Sequence, residues 1–173
     1  SSIFAQANRI LTLAPTAQAS SIGNVMLPMM NPARNLFDKD HFSFSRVNWM
    51  TNIVDDMSYN FINFDRGQYG VNVLFFNYGE QNQSDEFGII QSQFTPLSAV
   101  YGFNYARKVN KYNLGLDVKL ITHNLHTQNA KGLVFGVGGY FPKVYKDLDL
   151  DVMVRNFGFA PKFGSWKSEL PTS

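Results

Sequence analysis

The stretch YNLGLDVKLITHNL, Tyr112 to Leu125, alternates almost without a slip. Tyr112, Leu114, Leu116, Val118 and Leu120 are apolar, and Asn113, Asp117, Lys119 and His123 lie between them. A strand sends successive side chains to opposite faces, so one face of this segment is oily and the other carries charge. In a soluble sheet the oily face packs inward. In an outer-membrane barrel it meets lipid, and the polar face lines the lumen. Function follows from that choice.

Two further segments repeat the pattern. In DLDLDVMVR, Leu148, Leu150, Val152 and Val154 alternate with Asp147, Asp149, Asp151, Met153 and Arg155. In QYGVNVLFF, Tyr69, Val71, Val73 and Phe75 alternate with Gly70, Asn72, Leu74 and Phe76. Gly102 and Asn104 stand opposite Tyr101, Phe103 and Tyr105 in the same way. Charged residues make up only 16% of the chain, against roughly 25% in an ordinary soluble domain. There are 16 Phe and 8 Tyr. Aromatics placed at strand ends (Tyr59, Phe64, Tyr69, Tyr78, Tyr105, Tyr112, Tyr140, Phe157) suit the girdles of a membrane barrel. A soluble β-barrel or clam for lipophilic ligands accommodates the same alternation. A net charge of +2 is too small to imply nucleic acid. Without cysteine there is no disulfide framework and no thiolate chemistry. The longest nearly apolar run, Leu133 to Phe141, is about half the roughly 20 residues of a membrane helix. That length excludes a helical membrane protein and leaves a barrel open; no secretion signal opens the chain, which therefore reads as mature or as never having had one.

The periodicity predicts an all-β antiparallel meander with strands over Phe42–Met50, Met57–Asp65, Gln68–Tyr78, Gln91–Arg107 with a bend near Pro96, Tyr112–Leu125, Lys131–Phe141 and Asp147–Phe157. DRGQ, KVNKYN and KVYKD read as tight turns. MTNIVDD, GEQNQSDEFGII and NLHTQNAK read as longer loops on the opposite side. Such asymmetry is what a transmembrane meander requires. Residues 1–40, with Pro15, Pro28 and Pro32 and no sustained alternation, read as an N-terminal arm or plug; residues 41–173 carry the strands. As a barrel, the chain would turn Asp117, Lys119, Asp149, Asp151 and Arg155 into its lumen.

Motifs for chemistry are few. His123 and His126 are three apart and point to opposite faces of a strand, so they do not grip one metal ion. Asp147, Asp149 and Asp151 form an acidic row without the glycine and terminal glutamate of a calcium loop. GVGG, Gly136 to Gly139, lacks the helix and acidic partner of a dinucleotide fold and reads as small residues making room inside a barrel. No serine sits in a GxSxG context. The expectation is a protein without enzymatic activity, cofactor or metal.

Several segments carry a resemblance. PTAQASSIGNV, which contains Gly23, is similar to the small-residue N-terminal motif of PorV/PorQ-type outer-membrane proteins of the FadL-like barrel superfamily, with Gln18 where arginine is usual. NPAR, with Asn31, Pro32 and Ala33, resembles their Asn-Pro-Ala motif ahead of the first strand. WMTNIVDDMSY resembles the first hairpin, with Trp49, Asn52 and Asp56 at matching places. FTPLSAVYGFNYARKV, RNFGFAPKF and ELPT follow in the family's order. The likeness runs from about Leu13 to the last residue and is nearest the PorV branch. It implies the N-terminal half of a barrel of about 14 strands, occluded by its N-terminal segment and embedded in outer-membrane lipid. PorV-type members are accessory subunits of type IX secretion that pass cargo from a large translocon barrel to the surface. FadL relatives take up long-chain fatty acids.

Overall fold

The computed structural model describes residues 7–12, 16, 31–37, 40–48, 56–84, 87–125, 128–163, 166–167 and 170–172. Seven strands form one antiparallel sheet in the order β1-β2-β3-β6-β7-β8-β9. They are β1 (His41–Asn48), β2 (Met57–Arg66), β3 (Tyr69–Tyr78), β6 (Leu97–Val109), β7 (Tyr112–Leu125), β8 (Gln128–Tyr145) and β9 (Leu148–Phe159). A separate hairpin pairs β4 (Gln81–Ser84) with β5 (Ile90–Phe94), and a small one pairs β10 (Lys162–Phe163) with β11 (Trp166–Lys167). Among the described residues there is no α-helix. The described residues of 1–40 contribute two 3-10 turns, Ala7–Thr12 and Pro32–Leu36.

Three two-residue turns, 67–68, 110–111 and 146–147, gather at one edge of the sheet, here the turn edge. Gly67 (φ 57°), Asn110 (φ 55°) and Lys146 (φ 52°) supply the left-handed backbone that twisted hairpins need. The opposite, loop edge carries Asp56 and the β4–β5 hairpin.

Several expectations from sequence are corrected. Gln91–Arg107 is two strands in different sheets, because Pro96 has no N–H to give to a ladder; its carbonyl instead accepts from Tyr78 N at 3.1 Å. The GEQNQSDEFGII segment holds the β4–β5 hairpin rather than an irregular loop. NLHTQNAK is no long loop either, since Leu125 pairs with Gln128 and polar side chains do not prevent backbone pairing. The sheet does not close on itself among the described residues: β1 and β9 are its two edges.

The two faces decide what surrounds this sheet. On β7, Leu114, Leu116, Val118 and Leu120 are 44, 54, 37 and 41% exposed, while Asn113 and Asp117 are 7 and 3% exposed. Register carries the exposed column sideways through Phe103, Val118 and Phe135, and through Tyr101, Leu120 and Leu133. It continues to Phe42, Phe44, Ile62, Phe64 and Val71 on one side and to Leu150, Val152 and Val154 on the other, all exposed. The opposite face is covered, and we call it inner. The outer, apolar side is bare and the inner side is packed.

The inner face itself has two layers, which the alternation alone does not reveal. Near the turn edge it is Asn63, Asp65, Asn72, Asn104, Asn113 and Asp117. Toward the loop edge it is apolar: Tyr59, Phe61, Leu74, Phe76, Val100, Ile121 and Val134 form one buried cluster under Ile10, with Leu11 and Leu170 against it. An interior lined only by polar groups is therefore corrected to one that is half amide and half hydrocarbon.

Candidate functional site

The turn at Pro32–Leu36 lies on the polar layer. Asn31 is extended (φ −121°, ψ 105°) and its Oδ1 accepts from Ala33 N at 3.1 Å, capping the turn. Pro32 at the first position fixes φ for helical geometry and has no N–H to orphan. The turn closes through Arg34 N to Asn31 O and Phe37 N to Arg34 O, both 3.0 Å.

Two glycines on the wall admit this turn. A Cβ on Gly115 of β7 would land on the backbone of Pro32 and Ala33, and one on Gly138 of β8 would meet the Asn31 side chain and Pro32 Cδ. Gly136 makes room in the same way for the Asp117 carboxylate, and Gly102 for the Asn72 amide. The GVGG run thus faces inward at Gly136 and Gly138, where polar groups seat.

Asp151 of β9 holds the turn from the side. Asn31 Nδ2 donates to its Oδ1 at 3.0 Å, Arg34 Nε donates to the same oxygen at 3.0 Å, and Arg34 Nη2 pairs with Oδ2. Both side chains of the ion pair are 18% exposed, so the bidentate geometry is shielded from solvent. The hydrogen bond to Asp151 raises the Arg34 pKa further, so the guanidinium stays charged. It lies over the Phe37 ring at 5.1 Å and the Tyr140 ring at 4.8 Å, and those rings meet edge to face at 4.5 Å. A double-mutant cycle with Arg34→Gln and Asp151→Asn is expected to give a coupling of about 1.5–3 kcal/mol in equilibrium unfolding. The exposed Arg66–Asp40 pair, 3.7 Å apart, is expected to give no measurable coupling.

The sequence-predicted residues fall as follows. Asn31, Pro32 and Ala33 are buried together against β7 and β8. Asp117 is buried on the inner face and paired with Lys119, its neighbour two along the strand. Asp151 is half-buried in the clasp, and Arg155 is half-buried on the same strand. Asp149 is exposed near the turn edge, where it accepts from Tyr140 Oη and from Lys143 N at 2.9 Å, bracing the β8–β9 end. Asp56 is exposed and lines a polar hollow of about 400 Å³ with Arg46, Asn48, Ser58, Asn77 and Glu80 at the loop edge. Gly23, Trp49, Asn52 and His126 lie outside the described residues. His123 is buried, its Nδ1 2.6 Å from Ser98 Oγ.

Arg34 was the residue that sequence reasoning passed over. Its signal was present: a cation directly after Asn-Pro-Ala, with an acidic row on a distant strand. What the assembly does is mechanical. It ties the Pro32–Leu36 turn to β7 and β8 by close backbone approach and to β9 by amide hydrogen bonds and one shielded ion pair. Scanned against protein-family models the chain matches none, and a search of curated proteins returns no match either.

Proposed function

We propose that this chain forms part of the wall of an outer-membrane β-barrel closed by its own N-terminal segment, and that it serves as an accessory subunit in type IX protein secretion. One observation carries the membrane reading: the exposed Leu114–Leu120 column is continuous with apolar side chains across seven strands, while the covered face is amide and carboxylate near the turn edge and hydrocarbon only toward the loop edge. A soluble protein rarely leaves so broad an apolar surface bare. From Tyr112 to Leu120 the column is about 26 Å along the strand, which a barrel tilt of roughly 40° shortens to about 20 Å, near the height of the lipid-facing band. Polar Arg46, Asn48, Ser58 and Asn77 bound it at the loop edge, and Tyr69, Tyr105 and Tyr112 at the turn edge. Hydrocarbon does not tolerate an unpaired strand edge, so this reading requires further strands beside β1 and β9.

The secretion role is supported by the clasp. A segment tied to Gly115, Gly138 and Asp151 stops the polar half of the interior, which suits a subunit that presents surface loops to proteins better than one that conducts. FadL-like uptake of long-chain fatty acids is the second reading, favoured by the apolar inner cluster around Phe61 and Ile121. Purification from an outer-membrane fraction separates them. The secretion reading expects a giant translocon barrel and cargo with a β-sandwich signal domain to co-purify. Uptake of a labelled long-chain fatty acid into vesicles, with neither protein retained, would contradict it.

A further inference from the structure

The turn edge is basic as well as aromatic. Among the described residues, Arg66, Arg107, Lys108, Lys111, Lys143 and Lys146 are all exposed there, and the exposed carboxylates near them are Asp40, Asp147 and Asp149. At the loop edge, again among the described residues, Arg46 and Lys131 are set against Asp56 and Glu80. Two of the turn-edge cations lie over the ring of a neighbouring tyrosine: Lys111 Nζ is 5.4 Å from the Tyr112 centroid and Lys146 Nζ 5.5 Å from that of Tyr145.

At the β2–β3 turn the cation adjoins a groove. Phe64, Arg66, Gln68, Tyr69, Gly70 and Val71 line a cleft of about 500 Å³ on the outer side of the sheet. Tyr69 extends its apolar wall to Tyr105 and Phe103, with ring centroids 5.3 and 6.2 Å away. Arg66 pairs with Asp40 at 3.7 Å, and both side chains are largely exposed. Such a pair is weak and screened, so a phosphate can displace the carboxylate.

We infer that the turn edge binds anionic glycerophospholipid, with the phosphate on Arg66 and an acyl chain along the Phe64–Val71 groove, and that the lysines of the neighbouring turns hold further headgroups. The inference rests on the lipid-facing reading and adds a leaflet to it: short turns belong on the periplasmic side of outer-membrane barrels, where the lipid is phospholipid. A basic row beside an apolar band is the pairing that holds proteins to anionic membrane surfaces.

The test uses the detergent-solubilised chain, with phosphatidylglycerol, phosphatidylcholine, lipid A and inorganic phosphate as probes in a lipid-retention assay. Phosphatidylglycerol is expected to bind about tenfold or more tighter than phosphatidylcholine, and the preference to collapse in about 0.5 M salt. R66Q/K111Q/K146Q is expected to lose the preference and R46Q/K131Q to keep it, with β-sheet circular dichroism unchanged in both. Equal binding of the two lipids, an unaffected triple variant, stronger binding of lipid A, or competition by millimolar phosphate would each overturn the inference. If the protein proves monodisperse without detergent, the membrane reading falls and takes this inference with it. If it needs detergent yet shows no headgroup preference, the inference alone falls.

Discussion

An arginine at Leu116 is expected to destabilise the protein in lipid vesicles by about 2–4 kcal/mol. Leu116 is 54% exposed on the outer face, midway between Tyr112 and Leu120. In a water-washed sheet such a site is permissive, and a charge there changes stability by no more than about 0.5 kcal/mol. Hydrocarbon around the same position must solvate a guanidinium, so the two settings give different magnitudes from one substitution. Gln83→Arg, in exposed β4 beyond the band, is the matched control and is expected to be silent. Denaturant unfolding of both variants from vesicles reads the difference. A Leu116→Arg protein as stable as the parent would place that face in water.

Gly115→Val is expected to expel the Pro32–Leu36 turn. A Cβ at this position falls on the backbone of Pro32 and Ala33, and backbone cannot rotate out of the way as a side chain can. Overpacking of this kind costs about 1–3 kcal/mol. Displacing the turn also breaks the Arg34–Asp151 pair, so a total loss of about 3–5 kcal/mol is expected. The second readout is proteolytic: trypsin should cleave after Arg34 much faster in the variant than in the parent. Gly139→Ala is the control, because its added methyl meets the Phe141 ring, a side chain able to move. Equal protection of Arg34 in parent and Gly115→Val would mean that the turn does not depend on this contact.

The longest unbroken alternation is legible from sequence to the residue, while Gln68–Tyr78 and Asp147–Phe157 differ from β3 and β9 by one or two residues at their ends. Tyr112–Leu125 is the case in point, because period two has no competing explanation over that length. Where alternation ran on through Pro96, the eye joined what the missing N–H divides, so β5 and β6 read as one strand. Polar Gln128–Ala130 carry no strand signal of their own, yet β-pairing uses the backbone, and they pair with His123–Leu125. Of the clasp, Asn31, Pro32, Ala33 and Asp151 were marked, but their meeting was not. Contact between residues 120 positions apart leaves no periodic trace. The apolar inner layer escaped for a related reason: Leu74 and Phe76 stand on the same face as Gly70 and Asn72, and strand period gives the face without giving depth along it.

The central claim is that the Leu- and Val-bearing side of this sheet lies against acyl chains. The chain has no cysteine, so single cysteines at residues 113, 114 and 116 to 120 can each carry a bimane fluorophore in vesicles containing doxyl-labelled lipid. Strong quenching at Leu114, Leu116, Val118 and Leu120, with weak quenching at Asn113, Asp117 and Lys119, is the expected result. Quenching that lacks the two-residue period, or that peaks at Asn113 and Asp117, would contradict the account.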